Sequence, residues 1–477
     1  MKPYRWYDAI GVNLFWLGLN IRNNAVGAVF MPYLIALYAA PEVRNTALGG
    51  MRTAGLIIAM LAQPAMGLLS DRNTSRYGRR RPFIFVGVLL DLLFLAGIAL
   101  AFNYWTLLAA VLLIQLSSNI SHGALQALIP DIVPEEHRGV ASAVKAIFEL
   151  LPLIVLGLTI GPMVGRGQFY PAVIATGISL LLIMLLTMIL VKETPLAQKP
   201  TDPVAPAMLR VLGMLGGIAL GALAGLLAGA ALGGLAALLA LPFAGAVVAK
   251  NLLVGVGGVT AMAVAAAAAA RAGTHFTLGK VAADTRSFTW WIVNRLLFMA
   301  AVTSIQTFAP YFLMYSFNVN AEQGVAMTTT LVMAVGICTL LSALPGGWLS
   351  DKFGQKRMVA LGGLLGAAGV GVVLTTIWLP NLTLLYIGGG VLGLGTGLFV
   401  STNWALGTRL VPAAQAGLWM GVSNLAGAGA GILGSGIGGP MADFLNASSP
   451  GLGYFAIFAG YGVLFLLSVV CLKFVKT

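Results

Sequence analysis

Long apolar runs divide this chain from end to end, and they decide its solvent. Fourteen such segments can be marked: 11–38, 49–70, 83–103, 104–130, 138–164, 168–191, 210–240, 243–270, 287–317, 322–349, 358–378, 381–408, 413–440 and 451–472. About 20 residues of helix cross a bilayer core, and every segment reaches roughly that length. Hydrophobic residues make up 59% of the 477 and charged residues only 9%, too few charges to cover a water-soluble surface. Hydrocarbon offers no hydrogen bonds, so each segment must satisfy its own backbone. The expected fold class is therefore all-α and integral to a membrane, with about 14 spans.

A formal net charge of +13 would suit nucleic acid, so the placement of the basic residues matters. If the N-terminus is cytoplasmic, Lys2, Arg5, the cluster from Arg72 to Arg81, Arg138, Lys192, Lys199 and Arg210 fall near the cytoplasmic face. Arg271, Lys280, Arg286, Lys352, Lys356, Arg357, Arg409, Lys473 and Lys476 fall there too. Arg44, Arg52, Arg166 and Lys250 lie near the outer face, and Arg22, Lys145 and Arg295 lie inside spans. This is the positive-inside pattern. It implies a multi-pass protein of the cell membrane with both termini cytoplasmic, a lipid bilayer as partner, and no nucleic acid. Cys338 and Cys471 both sit in apolar segments, which argues against a disulfide framework or metal cluster. The first apolar segment is long and carries Arg22, unlike a cleavable signal peptide.

The chain also repeats itself. Gly67-Leu-Leu-Ser-Asp71-Arg72 aligns with Gly347-Trp-Leu-Ser-Asp351-Lys352 at an offset of 280 residues. Pro32-Tyr33 aligns with Pro310-Tyr311, Ala127–Gly139 with Ala405–Gly417, and Pro162-Met163 with Pro440-Met441, all at 278. Four nearly collinear matches imply two parallel halves of six spans. The expected domains are 1–200, a six-helix half; 201–286, an inserted helical hairpin; and 287–477, the second half. The insert is rich in Gly and Ala, and small residues let helices pack closely in lipid.

Two loops carry the clearest motif. Gly67, Asp71 and Arg72 followed by Gly78, Arg79 and Arg80 are matched by Gly347, Asp351, Lys352, Gly354 and Lys356. Glycine permits close helix approach, and the acid can pair at a helix end beside a basic run. Together they resemble the major-facilitator loop between the second and third helices of each half, which implies a gating role. The first copy, with Ser70, Thr74, Ser75, Arg76, Arg81, Pro82 and Phe83 around it, is similar to the loop of sucrose–proton symporters and their glycoside–pentoside–hexuronide relatives. Trp16, Pro32-Tyr33, Gly123, Ala127, Leu128 and Asp131 extend that resemblance, mainly within the first 140 residues. It implies a secondary transporter of a sugar-like solute. Gln126 stands where the sucrose carriers place an arginine, which weakens the case for sucrose itself.

Polar groups inside spans mark candidate sites, because each is costly in hydrocarbon. Counting about 1.5 Å per residue from the cytoplasmic ends puts Arg22 and Glu149 roughly 16 Å deep and His122 about 12 Å. Arg22 and Glu149 are the expected ion pair and coupling groups, with Lys145 a rival partner for Glu149. Asn13, Asn20 and Asn24 share one face of the first span, whereas Arg22 points the other way. Either that span bends or one set is structural. Asp91, in a normally peripheral span, is expected to pack against a polar neighbour. The candidate solute-binding residues are Asn20, Asn24, Asn119, His122 and Gln126 in the first half and Asn294, Arg295, Gln306, Asn403 and Trp404 in the second.

No nucleophile–base set, metal spacing or phosphate loop is present in the sequence, so an enzyme is not expected and no cofactor is implied. The expected function is alternating-access transport of a small polar solute, coupled to a proton or sodium ion, by a monomer. The alternatives are an efflux carrier of another solute, or a non-transporting assembly or pigment-handling factor on the same scaffold.

Overall fold

The structure is a computed structural model and describes residues 5, 7–193, 195–196, 205–279, 286–411, 419 and 423–476. Helix dominates throughout, and no strand occurs among the described residues. Eleven of the described helices are long and apolar enough to cross a membrane. Residue contacts divide the chain into two compact units, 1–34 with 57–211 and 35–56 with 212–477.

The helices of the first unit are α1 (Asp8–Asn24), which runs through a π-helical stretch (Ala25–Phe30) into α2 (Met31–Tyr38), and α3 (Arg44–Asp71), which belongs to this unit from residue 57. After them come α4 (Arg81–Ala99), α5 (Tyr104–Leu125), the short α6 (Leu128–Ile132), α7 (Arg138–Leu158), α8 (Ile160–Gly165) and α9 (Phe169–Leu190). Phe15, Trp16 and Leu19 of α1 are buried against Ile84 and Val88 of α4, Leu125 of α5 and Leu180 and Met184 of α9. α1 is therefore the central post of this unit. Asn103 caps α5 by accepting from the Thr106 amide at 2.9 Å, the reciprocal arrangement that fixes a helix start.

The second unit contains α11 (Arg286–Phe317), α12 (Ala321–Phe353), α13 (Gln355–Thr375), α14 (Leu382–Arg409), α15 (Asn424–Ser448) and α16 (Leu452–Cys471). α11 is again the post: Trp291, Phe298 and Phe308 are fully buried, and Phe298 stacks on Phe399. Residues 35–56 join this unit, where Asp443 accepts from the Asn45 and Thr46 amides at 3.2 and 2.6 Å. That carboxylate supplies the cap that the start of α3 does not carry in its own sequence.

The inserted segment is α10 (Ala205–Leu278), a single run broken at Gly245, whose φ of 78° only glycine adopts readily. Its two arms lie antiparallel. Gly217, Gly221, Gly225, Gly229 and Gly233 recur every fourth residue on the first arm, facing Gly273, Ala269, Ala265, Gly257 and Leu253 on the second. A Cβ at Gly225 would stand 2.4 Å from the Ala261 carbonyl oxygen. Backbone-to-backbone contact replaces the hydrophobic driving force that lipid removes. Residues from 212 onward pack within the second unit.

Gly225→Val is expected to overpack this seam and destabilise the protein by about 1–3 kcal/mol. Gly216 and Gly234 face open space, so alanine at either should stay within about 0.5 kcal/mol of the parent. Thermal melts of the purified proteins test this; equal midpoints for G225V and G216A would refute the close-packed seam.

Candidate functional site

In the first unit the polar residues of the spans separate into a sealed set and an accessible set. Arg22 is 1% exposed, and its guanidinium donates to Asp91 of α4 at 2.5 Å. Asp91 is fully buried and accepts a further bond from the Ser117 hydroxyl of α5. Three helices are thereby pinned through one buried ion pair, each charge compensated by the other as burial demands. Arg22 therefore does not pair with Glu149, as its depth suggested. Helical rotation turns it towards α4, and its acid is Asp91. Glu149 pairs instead with Lys145 one turn earlier on α7, at 3.5 Å. Asp91 does pack against polar neighbours, as expected.

The accessible set packs against Trp16, which is itself buried. His122 meets its ring edge-on at 5.2 Å, and the Lys145 ammonium sits 4.1 Å from the same ring centroid. This cation–π contact leads to Glu149, whose side chain is 41% exposed against 0% for Asp91. Trp16, His122, Lys145 and Glu149 thus join α1, α5 and α7. Asn20 and Asn24 are half-buried, and each amide donates to its own helix one turn back, at 2.9 and 2.8 Å. Asn13 is structural, donating to Ala9 and Ala141 carbonyls at 2.9 Å. Asn119 is buried and bonded to the Gln115 carbonyl at 2.7 Å, whereas Gln126 is exposed just past the end of α5.

In the second unit four of the five expected residues converge. The Arg295 guanidinium donates to Asn403 Oδ1 at 3.1 Å, and the Asn403 amide donates to Asn294 Oδ1 at 2.8 Å. Asn294 in turn bonds the Ser468 carbonyl at 2.8 Å, and Trp291 donates to the Asn403 carbonyl at 3.0 Å. Arg295 also lies over the Trp404 ring, 5.2 Å from its centroid. Gln306, on the same helix as Arg295, is half-buried and makes no bond to this cluster among the described residues.

The two loop motifs differ. In the first, the buried Arg80 donates to Asp71, Ser70 and, at 2.8 Å, Asp131, while Arg79 also pairs with Asp131. Glu193 accepts from the Arg80 and Arg81 amides at 2.9 and 3.1 Å, capping the start of α4. Gly78 has φ +102°, and any Cβ there would strike the Glu193 carboxylate. Gly67 packs over Gly123, where a Cβ would be 3.5 Å from the Gly123 carbonyl oxygen. In the second copy Asp351 is exposed and makes no ion pair among the described residues. Lys352 lies over the Trp348 ring at 5.6 Å, and Lys356 donates to the Val475 carbonyl at 2.8 Å. The glycine in close contact there is Gly346, not Gly347, which faces open space. Position 409, the mate of Asp131, is arginine, so the second copy lacks the acid its basic residues would need.

Sequence reasoning missed Glu193 as a motif partner and Ser117 as a ligand of Asp91. Burial pushes the Glu193 carboxyl above its usual range, opposed by the two amide donors and Arg80.

Comparison with known proteins agrees with this architecture. A model of the Major Facilitator Superfamily matches residues 17–305 and 291–477. A sucrose transport protein of Oryza sativa subsp. japonica is 28% identical over 207 residues, 34% of this chain and 38% of that protein. A Na(+), Li(+), K(+)/H(+) antiporter of Planococcus maritimus is 30% identical over 175 residues, 36% of this chain and 38% of its own length. The matched stretches therefore span well under half of either relative. The crystal structure of a nucleoside transporter, NupG, superposes with a TM-score of 0.67 at 12% identity, covering 98% of this chain and 99% of that one; it shares the fold.

Two predictions follow from the geometry. Asp91→Ala, which leaves Arg22 buried without its acid, should cost about 3–5 kcal/mol, whereas Glu149→Gln, in a partly exposed pair, should cost under about 1 kcal/mol. Denaturation of both variants decides it, and equal losses would contradict the separation into sealed and accessible sets. At Glu193 the raised carboxyl pKa means that stability is fully present below the ordinary glutamate pKa and declines as pH rises through the folded-state value. Glu193→Gln should keep the amide acceptor and flatten that stretch of the melting profile against pH, while Glu193→Ala should lose about 1 kcal/mol of capping. An unchanged pH profile in E193Q would assign the titration to another group.

Proposed function

We propose a function from one premise: the chain belongs to the Major Facilitator Superfamily. It is a multi-pass membrane transporter of that superfamily, and we infer that its solute is small, polar and sugar- or glycoside-like, moved by alternating access and coupled to a cation. The observation that carries this reading is the accessible polar wall of the first unit. Half-buried His122 and the partly exposed Lys145 and Glu149, packed on the buried Trp16, combine hydrogen-bonding groups with a carboxylate that is neither buried nor locked to an arginine. These groups, with the amides of Asn20 and Asn24, suit the hydroxyls of a sugar ring. In the second unit the half-buried Arg295 and the exposed Trp404 offer a guanidinium and an aromatic face suited to a sugar ring, set on the buried Asn294 and Asn403. The partial likeness to a sucrose transport protein supports the solute class, and that to a cation/proton antiporter supports coupling to a proton or alkali cation.

Glu149 is the coupling candidate in this reading, because a carboxylate must reach water to exchange a proton. Arg22 serves the fold, holding α1 against α4. The Arg79–Arg80–Asp71–Asp131–Glu193 network is the gate element, made of charge pairs that a rocking motion could break and re-form. Fourteen spans, two six-helix halves about an inserted hairpin, cytoplasmic termini, a location in the cell membrane and a monomeric state complete the proposal.

Proteoliposomes containing the purified protein test it. With an imposed proton gradient, at least one member of a panel of sugars and glycosides is expected to accumulate. Glu149→Gln should reduce that accumulation at least tenfold while leaving solute exchange without a gradient intact. A folded protein that moves no member of the panel under a proton, sodium or potassium gradient of either polarity would overturn the reading in favour of a non-transporting role.

A further inference from the structure

A cavity lies within the second unit, apart from the polar wall of the first. It measures about 920 Å³ and runs between the second arm of α10, the first half of α11 and the end of α16. Each helix presents a stripe at helical spacing. The α10 stripe consists of Ala263, Val264, Ala267 and Ala268, ending at Arg271; the α11 stripe is Thr289, Val293 and Leu297, beginning at Arg286; α16 gives Leu467 and Cys471. The alanines are what leave the space open. Their neighbours Ala261, Ala265 and Ala269, on the adjoining face of the same arm, are committed to the glycine seam. The arm is thus held close to its partner on one face and leaves a slot on the next.

The slot is polar at one end and apolar along its depth. Arg271, Thr274, His275, Arg286, Thr289 and Trp290 gather at the mouth. Thr274 and Thr289 approach within 3.5 Å across α10 and α11, and Trp290 stacks on Phe474 at 4.5 Å. Both arginines are exposed, and neither forms a salt bridge among the described residues. From Arg271 to Ala263 the helix rises about 12 Å, all of it past small or aliphatic side chains. A cationic mouth over a hydrocarbon-lined slot is complementary to an amphiphile with an anionic head.

We propose that this cavity binds one anionic phospholipid, its phosphate held by Arg271 and Arg286 and one acyl chain laid along the alanine stripe. Paired guanidinium groups suit phosphate oxygens, and basic recesses between membrane helices hold lipid headgroups in the same way. The bound lipid would tie the inserted hairpin to α11, the post of the second unit. This site is independent of the solute and of the coupling ion.

The test compares delipidated protein returned to mixed micelles of phosphatidylglycerol or phosphatidylcholine. Phosphatidylglycerol is expected to raise the melting midpoint by several degrees above phosphatidylcholine, and native mass spectrometry should retain one such lipid per chain. Soluble glycerol 3-phosphate at millimolar concentration should give no shift; a shift equal to that of the lipid would mean that a free phosphate, not a phospholipid, is the ligand. Arg271→Gln with Arg286→Gln should abolish the difference between the two lipids. Ala267→Trp, which fills the slot with both arginines intact, should abolish it independently, so the outcome does not hang on one variant folding. Identical behaviour in the two lipids, or full retention of the difference in both variants, would overturn the proposal.

Discussion

Hydrocarbon cannot hydrate a charge, and the arrangement of this protein follows from how it meets that constraint. Arg22 at the middle of the first helix would be costly alone. It is neutralised by Asp91 and, through that acid, tied to Ser117, so one buried pair orients three helices. Once α1 is fixed in rotation, its opposite face must carry Asn20 and Asn24, and Trp16 must meet α5 and α7. The accessible wall is therefore a consequence of the sealed pair behind it. The two kinds of polar group, one shut away and one reachable, are the division of labour that a carrier needs between scaffold and site.

Charge compensation also explains why two repeats of one pattern differ in structure. In the first unit Arg79 and Arg80 find Asp71 and Asp131, and Glu193 closes the network from the end of α9. In the second, arginine replaces the acid at position 409, and the basic residues turn to aromatic rings and a carbonyl instead. A motif shared in sequence is thus an ion-pair network on one side and a set of weaker contacts on the other. Any gate that depends on breaking charge pairs sits with the first copy.

Much of this was legible in the residues because it depends on one-dimensional signals. Apolar run length marks the helices, and the Gly and Ala richness of the insert marks a closely packed hairpin, although its register at Gly217 to Gly233 shows only in the structure. Collinear matches at 278 residues brought Asn294, Arg295, Asn403 and Trp404 into view as counterparts of the first and fourth spans. What failed was the pairing of Arg22. Depth along a helix can be counted, and by depth Glu149 was a fair partner. Rotation about the axis also matters, and it directs Arg22 to Asp91, a residue set aside because its span is usually peripheral. Glu193 escaped notice for a different reason: it stands beyond the end of a helix, with no periodicity, and acquires its role from a fold that brings it to the start of α4. Gly346 took the contact expected of Gly347 because a one-residue step turns a helical position by about 100°, enough to exchange a packed face for an open one.

The claim that the first unit keeps one set of polar residues sealed and another within reach of water can be measured directly. In a protein lacking Cys338 and Cys471, single cysteines at Asn24 and Glu149 should react with a membrane-impermeant thiol reagent, and a transported solute should slow that reaction. Cysteines at Ser117 and Ser121, which are 1% and 0% exposed, should stay unmodified in the folded protein. Labelling of position 117 as fast as position 149, or no labelling at 24 and 149 from either side of the membrane, would contradict the account.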